Sequence, residues 1–361
     1  MNFDFNEDQR ALADTVRRFI AKDYTFEKRR AIRDAEPGWS REVWQALADL
    51  GVLALNIDED HGGLGYGPQE TGLVMGVFGA GLLLEPYLAS AVIAPALIRR
   101  VASADFQEQW LPAIATGESI VVLAHADARG EPVAELGGNL SGRKAVVANG
   151  GCADLLLVSA RCANGSTGLF AVTPGADGVA LRDYPTLDGQ RAADVILTNA
   201  PALRLDAGGA LDAIDAALDI GLAALCAEAV GVMEATVAAT TDYLKTRQQF
   251  GQPIGRFQAL QHRMADMLLH LEQARSMSYL AAMQCTSEDK PARQRALSAA
   301  KVTIGQACRF IAQNAVQLHG GMGMTDELML SHWFKRLTAI EMSFGDTDSH
   351  LGRFIRLSRA A

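Results

Sequence analysis

The sequence has no excess of positive charge. Its 361 residues include 33 Lys and Arg against 42 Asp and Glu, which gives a formal net charge of −9. A chain with this balance has no electrostatic attraction to a nucleic-acid backbone or to an anionic lipid surface. We therefore expect no nucleic-acid partner and no membrane partner.

Long uncharged apolar runs are also missing. The most apolar stretch, VFGAGLLLEPYLASAVIAPALI, contains Glu85, Pro86 and Pro95. A membrane-spanning helix needs about 20 nearly uncharged residues, so this stretch is interpreted as buried helix and turn. The acidic and polar start, MNFDFNEDQR, argues against a secretory or transit peptide.

Cysteines are few and unpaired in spacing. The five cysteines stand apart from one another and have no accompanying histidines, which favours neither a disulfide framework nor a zinc site. They are interpreted as small core residues of a protein in the reducing cytoplasm, without a bound metal.

The pattern of apolar residues divides the chain into three predicted regions, which together indicate an α+β fold. Residues 1–118 have helical periods, with a capping box at Asn6 and Gln9 and a helix capped by Ser40. Residues 119–208 contain six short β-branched runs, from SIVVLAHA to ADVILTN, separated by turn residues. Residues 209–361 form long helical segments divided at FGQPIG, near TSEDKPA and at HGGMGM, which predict a four-helix bundle.

One break between helices, RQQFGQPIGRFQ, is more specific than a simple connection requires. Structurally, positive charge suits a helix C-terminus, and Gly251 and Pro253 can end the helix. That account leaves Phe250, Phe257 and Gln258 unexplained. Functionally, a guanidinium can bind a diphosphate bidentately, an aromatic ring can cover a flat heterocycle, and an amide can contact a polar edge.

The second candidate stretch is QLHGGMGM, residues 317–324. It follows a helical run rather than a strand, so it is not a dinucleotide fingerprint of the Rossmann kind. It can be a helix C-cap with a left-handed glycine, or it can let the backbone at Gly320 and Gly321 approach a ligand closely.

In this order and architecture, RxxFGxxIxxxQ followed by QxxGGxG resembles the acyl-CoA dehydrogenase family. The resemblance covers the whole chain and includes FNEDQRALADTVRRFI, the loop DEDHGGLGYG and the turn GRKAVVANGG. The segments AALCAEAVGVMEATVAATTDYLKTRQQFG and FKRLTAIEMSFGDTDSHLGR are most similar to the small subunit of pimeloyl-CoA dehydrogenases.

The resemblance implies an N-terminal helical domain, a small central β-domain, a C-terminal four-helix bundle and an FAD cofactor. It implies oxidation of an acyl-CoA thioester to the trans-2-enoyl-CoA, and the similarity to the pimeloyl enzyme implies a dicarboxylyl or medium-length acyl group. Electrons would pass to an electron-transfer flavoprotein. Carried over by position, the implied FAD contacts are Arg247, Phe250, Gln258, Gln317, Gly320 and Gly321. The last three are expected to come from a neighbouring subunit, so that the enzyme is an obligate oligomer, normally a tetramer.

The central region departs from the family pattern. The loop that meets the flavin reads LAHADARGEP and is short, and Val146 and Ala148 replace the family's Trp-x-Thr. Losing a hydroxyl there removes one hydrogen bond, worth about 0.5–1.5 kcal/mol.

The catalytic base departs further. The family's glutamate precedes the last helix, where this chain reads FGDTDSHLGR, and alignment from either side puts Asp346 or Gly345 at that position. The alternative family position, on an earlier helix, falls on Gly221. Asp346 is therefore the candidate base, and burial is expected to raise its pKa. Thr347 and Asp348 are expected to cap a helix that starts at Ser349, which leaves Asp346 free for this role.

Two hypotheses follow. The chain is either a complete FAD-dependent dehydrogenase or the partner subunit of a heterotetrameric enzyme, with an incomplete active site of its own. The intact RxxFG and GGxG stretches favour the first, and the altered β-domain favours the second.

Overall fold

The computed structural model describes residues 6–359 as an α+β protein, as predicted. The helices are α1 (Glu7–Asp23), α2 (Phe26–Asp34), α3 (Arg41–Asp49), α4 (Pro68–Gly81), α5 (Ala94–Val101), α6 (Ala104–Ala115), α7 (Leu211–Thr246), α8 (Gln258–Gln284), α9 (Lys290–His319), α10 (Met329–Met342) and α11 (Thr347–Arg359). The predicted helix starts at Asn6 and Ser40 are confirmed: Asn6 and Gln9 form a reciprocal capping box, and the Ser40 hydroxyl accepts from the Val43 amide at 3.2 Å.

The strands are β1 (Val121–Ala124), β2 (Ala134–Leu136), β3 (Asn139–Ala148), β4 (Leu155–Arg161), β5 (Thr167–Val172), β6 (Val179–Pro185), β7 (Arg191–Pro201), β8 (Leu203–Arg204), β9 (Gln248–Gln249) and β10 (Gln252–Pro253). The six predicted runs correspond to β1 and β3–β7. Strands β1–β8 form one sheet in the order β6-β7-β3-β2-β4-β5-β8, with β1 parallel to β4 at its side. The short strands β2 and β8 were not predicted, because three or two residues give too little alternation.

The chain divides into two compact units, which are described separately. The sheet unit comprises Arg30–Gly67 and Leu84–Gly221. Its core is formed by buried apolar side chains of β1, β4 and β5 together with those of α5, α6 and the first turns of α7. Leu157 and Leu169 in the sheet and Ile214 in α7 are fully buried there. Strands β4 and β5 are apolar and buried along almost their whole length, so their residues do not alternate between a buried and an exposed face.

The helical unit comprises the chain up to Arg29, Pro68–Leu83 and the chain from Leu222 onward. Helix α7 is long and apolar enough to cross a membrane, but 83% of its most apolar window is buried in the protein, as in a core helix. Within this unit α4 and α7 approach closely at Gly76 and Gly231. A Cβ atom on Gly231 would overlap the Gly76 carbonyl oxygen, so glycine is required there.

The C-terminal region is helical as predicted, but its last segment is interrupted. The short stretch 343–346 separates α10 from α11, with positive φ at Phe344 (58°) and Gly345 (97°). The buried Lys301 ammonium donates to the carbonyls of Glu341 (2.8 Å) and Gly345 (2.7 Å). This lysine satisfies carbonyl groups that the end of α10 leaves without helical partners. The domain boundaries at 118 and 208 stay predictions.

Candidate flavin site

The Arg247 segment begins at the end of α7. The Arg247 amide still donates to Tyr243 O at 2.8 Å, and the chain then turns back between β9 and β10. Phe250 and Gly251 occupy the two central turn positions with φ of 53° and 76°. Positive φ at both positions is what a type I′ hairpin requires. Gly251 is therefore a hairpin residue, and the interpretation of it as the helix stop was wrong, since α7 has already ended at Thr246.

The hairpin presents Phe250 to solvent. Its side chain is 89% exposed and touches Phe257 edge to face, with ring centroids 6.0 Å apart. A phenylalanine with positive φ is uncommon, and the cost of this conformation is of order 1 kcal/mol or more. An exposed aromatic ring held at a strained turn is available to pack against a flat ligand.

Two polar side chains flank this ring. The Arg247 guanidinium is exposed and has no ion pair or hydrogen bond among residues 6–359. Gln258 is the exposed first residue of α8, and its amide is likewise without a partner in the described part of the chain. Both groups are therefore available for a ligand.

The glycine stretch lies at the end of α9. Gly320 follows His319 as the helix C-cap, and its amide donates to Gln317 O, which confirms the predicted cap. The predicted left-handed helical conformation was wrong, since Gly320 has φ of 62° and ψ of −144°. Gly320 and Gly321 are exposed, and a Cβ atom on either would meet no other atom within 4 Å. Local crowding therefore does not require glycine at 321, and the open backbone there can be approached by a ligand.

The structure brings the two stretches together in one chain. Tyr243, one turn before Arg247, stacks on His319, which precedes Gly320; the ring centroids are 4.3 Å apart, and the Tyr243 hydroxyl lies 3.4 Å from His319 O. The expectation that the two stretches must come from different subunits to reach one cofactor is therefore wrong. Oligomerisation stays a prediction, without this reason for it.

This surface fits a flavin dinucleotide. A free guanidinium suits the diphosphate, an exposed ring suits a flat heterocycle, and open glycine backbone permits close approach. The six predicted contacts, Arg247, Phe250, Gln258, Gln317, Gly320 and Gly321, are all exposed.

Asp346 has a different environment from the one expected. It is exposed and lies directly before α11, where its Oδ1 accepts from the Ser349 amide at 2.8 Å. Asp346 is thus the N-cap of a helix that begins at Thr347, and the expectation that Thr347 and Asp348 are the caps was wrong. The hydrogen bonds from Ser349 hold the pKa of Asp346 below its usual range, opposite to the rise that was expected.

The loop before α11 is fixed by its neighbours. His350 Nε2 lies 2.9 Å from Phe344 O, and the Thr347 hydroxyl donates to Glu341 at 2.9 Å. Glu341 is also paired with Arg309 at 3.0 Å. The carboxylate of Glu341 is therefore occupied by structural partners.

His350 should make stability depend on pH. Burial, aided by Arg353 and Lys301, lowers its pKa to about 4. The unfolded state, with a His pKa near 6.5, then binds more protons, so stability should fall as pH drops from about 6.5 to about 4. The full effect is about 3 kcal/mol. Urea unfolding of the protein and of His350→Gln at both pH values would measure it; an equal pH dependence in the two proteins would contradict it.

Comparisons with known proteins decide the family. Residues 6–118 match the model of the acyl-CoA dehydrogenase N-terminal domain, and residues 208–356 match that of the acyl-CoA dehydrogenase C-terminal domain. The chain belongs to the acyl-CoA dehydrogenase family. Members are FAD-dependent oxidoreductases that act on CH–CH bonds, so the chain is an enzyme of this class and its cofactor is FAD.

Several relatives match over nearly the full length. Acyl-CoA dehydrogenase FadE27 of Mycobacterium tuberculosis is 29% identical, covering 99% of this chain and 98% of that protein. A variant of the Tcur3481-Tcur3483 steroid ACAD is 28% identical with a TM-score of 0.90, covering 98% of each chain. The ChsE4-ChsE5 complex from Mycobacterium tuberculosis is 26% identical with a TM-score of 0.90, covering 100% of each chain.

The segment that departs from the acyl-CoA dehydrogenase pattern is irregular in the structure as well. The pairing of β3 with β7 shifts between Lys144 and Val147, and Val146 is 65% exposed with φ of 52°. Its amide is 3.3 Å from Asp194 Oδ1. The bulge turns Val146 outward.

Sequence reasoning missed a buried polar cluster in the sheet unit. The Lys144 ammonium is 1% exposed and donates to Asp127 (2.6 Å) and Ser159 (3.1 Å). His125 Nδ1 lies 2.9 Å from Ser159 Oγ. The cluster ties the LAHADARGEP loop to β3 and β4, and no spacing in the sequence reveals it.

Proposed function

We propose that this chain is one subunit of a two-chain acyl-CoA dehydrogenase, which converts an acyl-CoA to the trans-2-enoyl-CoA and passes electrons to an electron-transfer flavoprotein. In this assembly the chain contributes FAD contacts, and a second, different chain supplies the catalytic base. The observation that carries the proposal is the state of Asp346, which caps α11 and is stabilised in its charged form, and so is a weak base.

Two other carboxylates in the helical unit, Glu228 and Glu341, do not replace it. Glu228 on α7 lies two turns from Gly221 on the same helix face, but Arg336 binds it bidentately at 2.6 and 2.8 Å. Glu341 is held by Arg309 and Thr347. A carboxylate fixed by an arginine has its charged form favoured and its lone pairs occupied, which weakens it as a proton acceptor.

The relatives support a two-chain assembly. The names of two similar structures, Tcur3481-Tcur3483 and the ChsE4-ChsE5 complex, each join two different chains, and this chain covers the matched chain almost completely in both cases.

The residues of this chain then have definite roles. Arg247 binds the diphosphate, Phe250 packs against the cofactor, Gln258 contacts the adenosine half, and the backbone at Gly320 and Gly321, with Gln317, completes the surface. FAD, when bound, supplies the redox chemistry by accepting the β-hydrogen of the acyl group with its electron pair. The protein orients the two partners and excludes water.

A second candidate is a self-sufficient enzyme in which Asp346 is the base. The exposure of the Asp346 carboxylate favours it, because a substrate can reach an exposed group. Proton abstraction would then require loss of the Ser349 hydrogen bond or use of the second carboxylate oxygen.

Asp346→Asn separates the two candidates. Asparagine caps helices as well as aspartate, so folding should be preserved while the negative charge is lost. In the assembled two-chain enzyme we expect anaerobic flavin bleaching by acyl-CoA to keep its rate within about twofold, as in the control Asp348→Asn. Bleaching reduced by roughly 100-fold or more in Asp346→Asn alone would establish the second candidate instead.

The assembly itself is tested by purifying the chain alone and with a co-expressed partner. We expect substrate bleaching only in the co-purified pair. Full bleaching by the isolated chain, at a mass of one kind of subunit in solution, would refute the two-chain proposal.

A further inference from the structure

A cavity of about 830 Å³ lies inside the helical unit and includes none of the flavin-site residues. It is bounded by α1, α4, α7, α8 and α10. Its apolar lining includes Ile20, Leu73, Val77, Val230, Met283 and Trp333. Small-molecule sites typically occupy about 300–1,000 Å³ and have mainly apolar walls, so this cavity has the size and lining of a binding site.

The cavity is on the opposite side of α7 from the position that the family uses for a base. Val230, in its wall, follows Gly221 by nine residues, which is two and a half helical turns. Ala227 and Glu234 share the side of Val230. A ligand in the cavity would therefore not occupy the reaction centre.

One buried polar group faces this space without a partner. Ser278 of α8 lines the cavity and is 6% exposed, and its hydroxyl makes no hydrogen bond among residues 6–359. The Ser278 hydroxyl oxygen is not among the fully buried, unpaired polar atoms of the described residues, so it is open to the cavity. A polar atom of a bound molecule would satisfy it.

The charges at the cavity are already balanced. Arg275 lies between Glu234 (2.8 Å) and Glu272 (2.5 Å), and Arg17 pairs with Asp14 (2.8 Å). A polyanion such as coenzyme A would have to compete with these carboxylates for both guanidinium groups. The lining therefore selects an uncharged molecule.

We propose that this cavity is a second binding site, for a neutral, largely apolar molecule that carries one hydrogen-bonding group. The apolar body lies against Trp333 and Val230, and the polar group pairs with Ser278. The site is separate from catalysis and does not depend on which chain supplies the base.

Binding in this cavity can be followed by the fluorescence of Trp333, which lies in its wall. We expect 11-bromoundecan-1-ol to quench the tryptophan emission of the full-length protein saturably, because bromine quenches an indole on contact. Trp333→Phe should remove this quenching. Ala282→Leu, which fills part of the cavity from α8, should weaken binding at least about tenfold, whereas Ser276→Leu on the exposed side of α8 should leave it unchanged.

The polar contact is tested with 1-bromoundecane, which lacks the hydroxyl. The alcohol should bind roughly three- to tenfold more tightly, and Ser278→Ala should abolish this preference. The proposal would be overturned by the absence of saturable quenching, by quenching that survives Trp333→Phe, by an unchanged affinity in Ala282→Leu, or by displacement of the alcohol by decanoyl-CoA. The variants should keep the flavin content and unfolding temperature of the parent protein. If a variant loses binding together with either property, that loss does not support the proposal. The effect of Ser278→Ala, the mildest change, on the preference for the alcohol then decides.

Discussion

Gly231→Ala is expected to destabilise the protein by about 3 kcal/mol or more. The added methyl group would overlap the Gly76 carbonyl oxygen where α4 and α7 touch, and backbone cannot move aside as a flexible side chain can. The two helices would have to separate along a buried contact. Alanine would gain at most about 1 kcal/mol in helix propensity, which is too little to compensate.

Gly72→Ala is the matched control. Gly72 lies on α4 one turn before Gly76, and a Cβ atom there would meet only the Ala227 Cβ at 3.5 Å, an ordinary contact. We expect this variant to be as stable as the parent or more stable by up to about 1 kcal/mol. Urea unfolding curves of the three proteins provide the comparison, and equal stability of Gly231→Ala and Gly72→Ala would show that the helices do not meet at these glycines.

Local features of the fold were predictable where a few adjacent residues determine them. The Asn6 capping box needs only residues three positions apart, and the six predicted strands are marked by β-branched residues between turns. The glycine contact between α4 and α7 was not predictable. Gly76 and Gly231 are far apart in sequence, and an isolated glycine in a helical pattern does not reveal which backbone it approaches.

The candidate site was predictable in its residues and less so in its geometry. Arg247 and Phe250 were identified by a motif, but the hairpin that carries Phe250 depends on the pairing of two strands of two residues each. Asp346 shows the limit most clearly. The predicted start of α11 was Ser349, whereas the helix begins at Thr347, and this shift of two residues decides whether Asp346 caps the helix or stays available. Because α11 begins at Thr347, Asp346 is its N-cap and is interpreted as a weak base.

Arg247→Ala should weaken FAD binding roughly 10- to 100-fold. The Arg247 guanidinium is unpaired in the described chain, so its donors are free for a diphosphate, and a charge-assisted hydrogen bond contributes about 1.5–3 kcal/mol. Because the side chain is exposed and has no partner among residues 6–359, its removal should leave the unfolding temperature of the FAD-free protein unchanged. The loss would therefore report on the cofactor and not on folding.

Lys245→Ala is the control for charge. Lys245 is also exposed and lies in the last turn of α7, two residues before Arg247, so it points to another side of the helix end. It contributes the same formal charge without the planar fork that matches a diphosphate, and we expect its removal to change FAD affinity by less than about twofold. Titration of the deflavinated variants with FAD, followed by flavin fluorescence, measures both affinities.

Equal losses in the two variants would mean that general positive charge at the end of α7 attracts the cofactor and that Arg247 makes no specific contact. A loss confined to Arg247→Ala, restored in part by Arg247→Lys, would assign the diphosphate to this guanidinium.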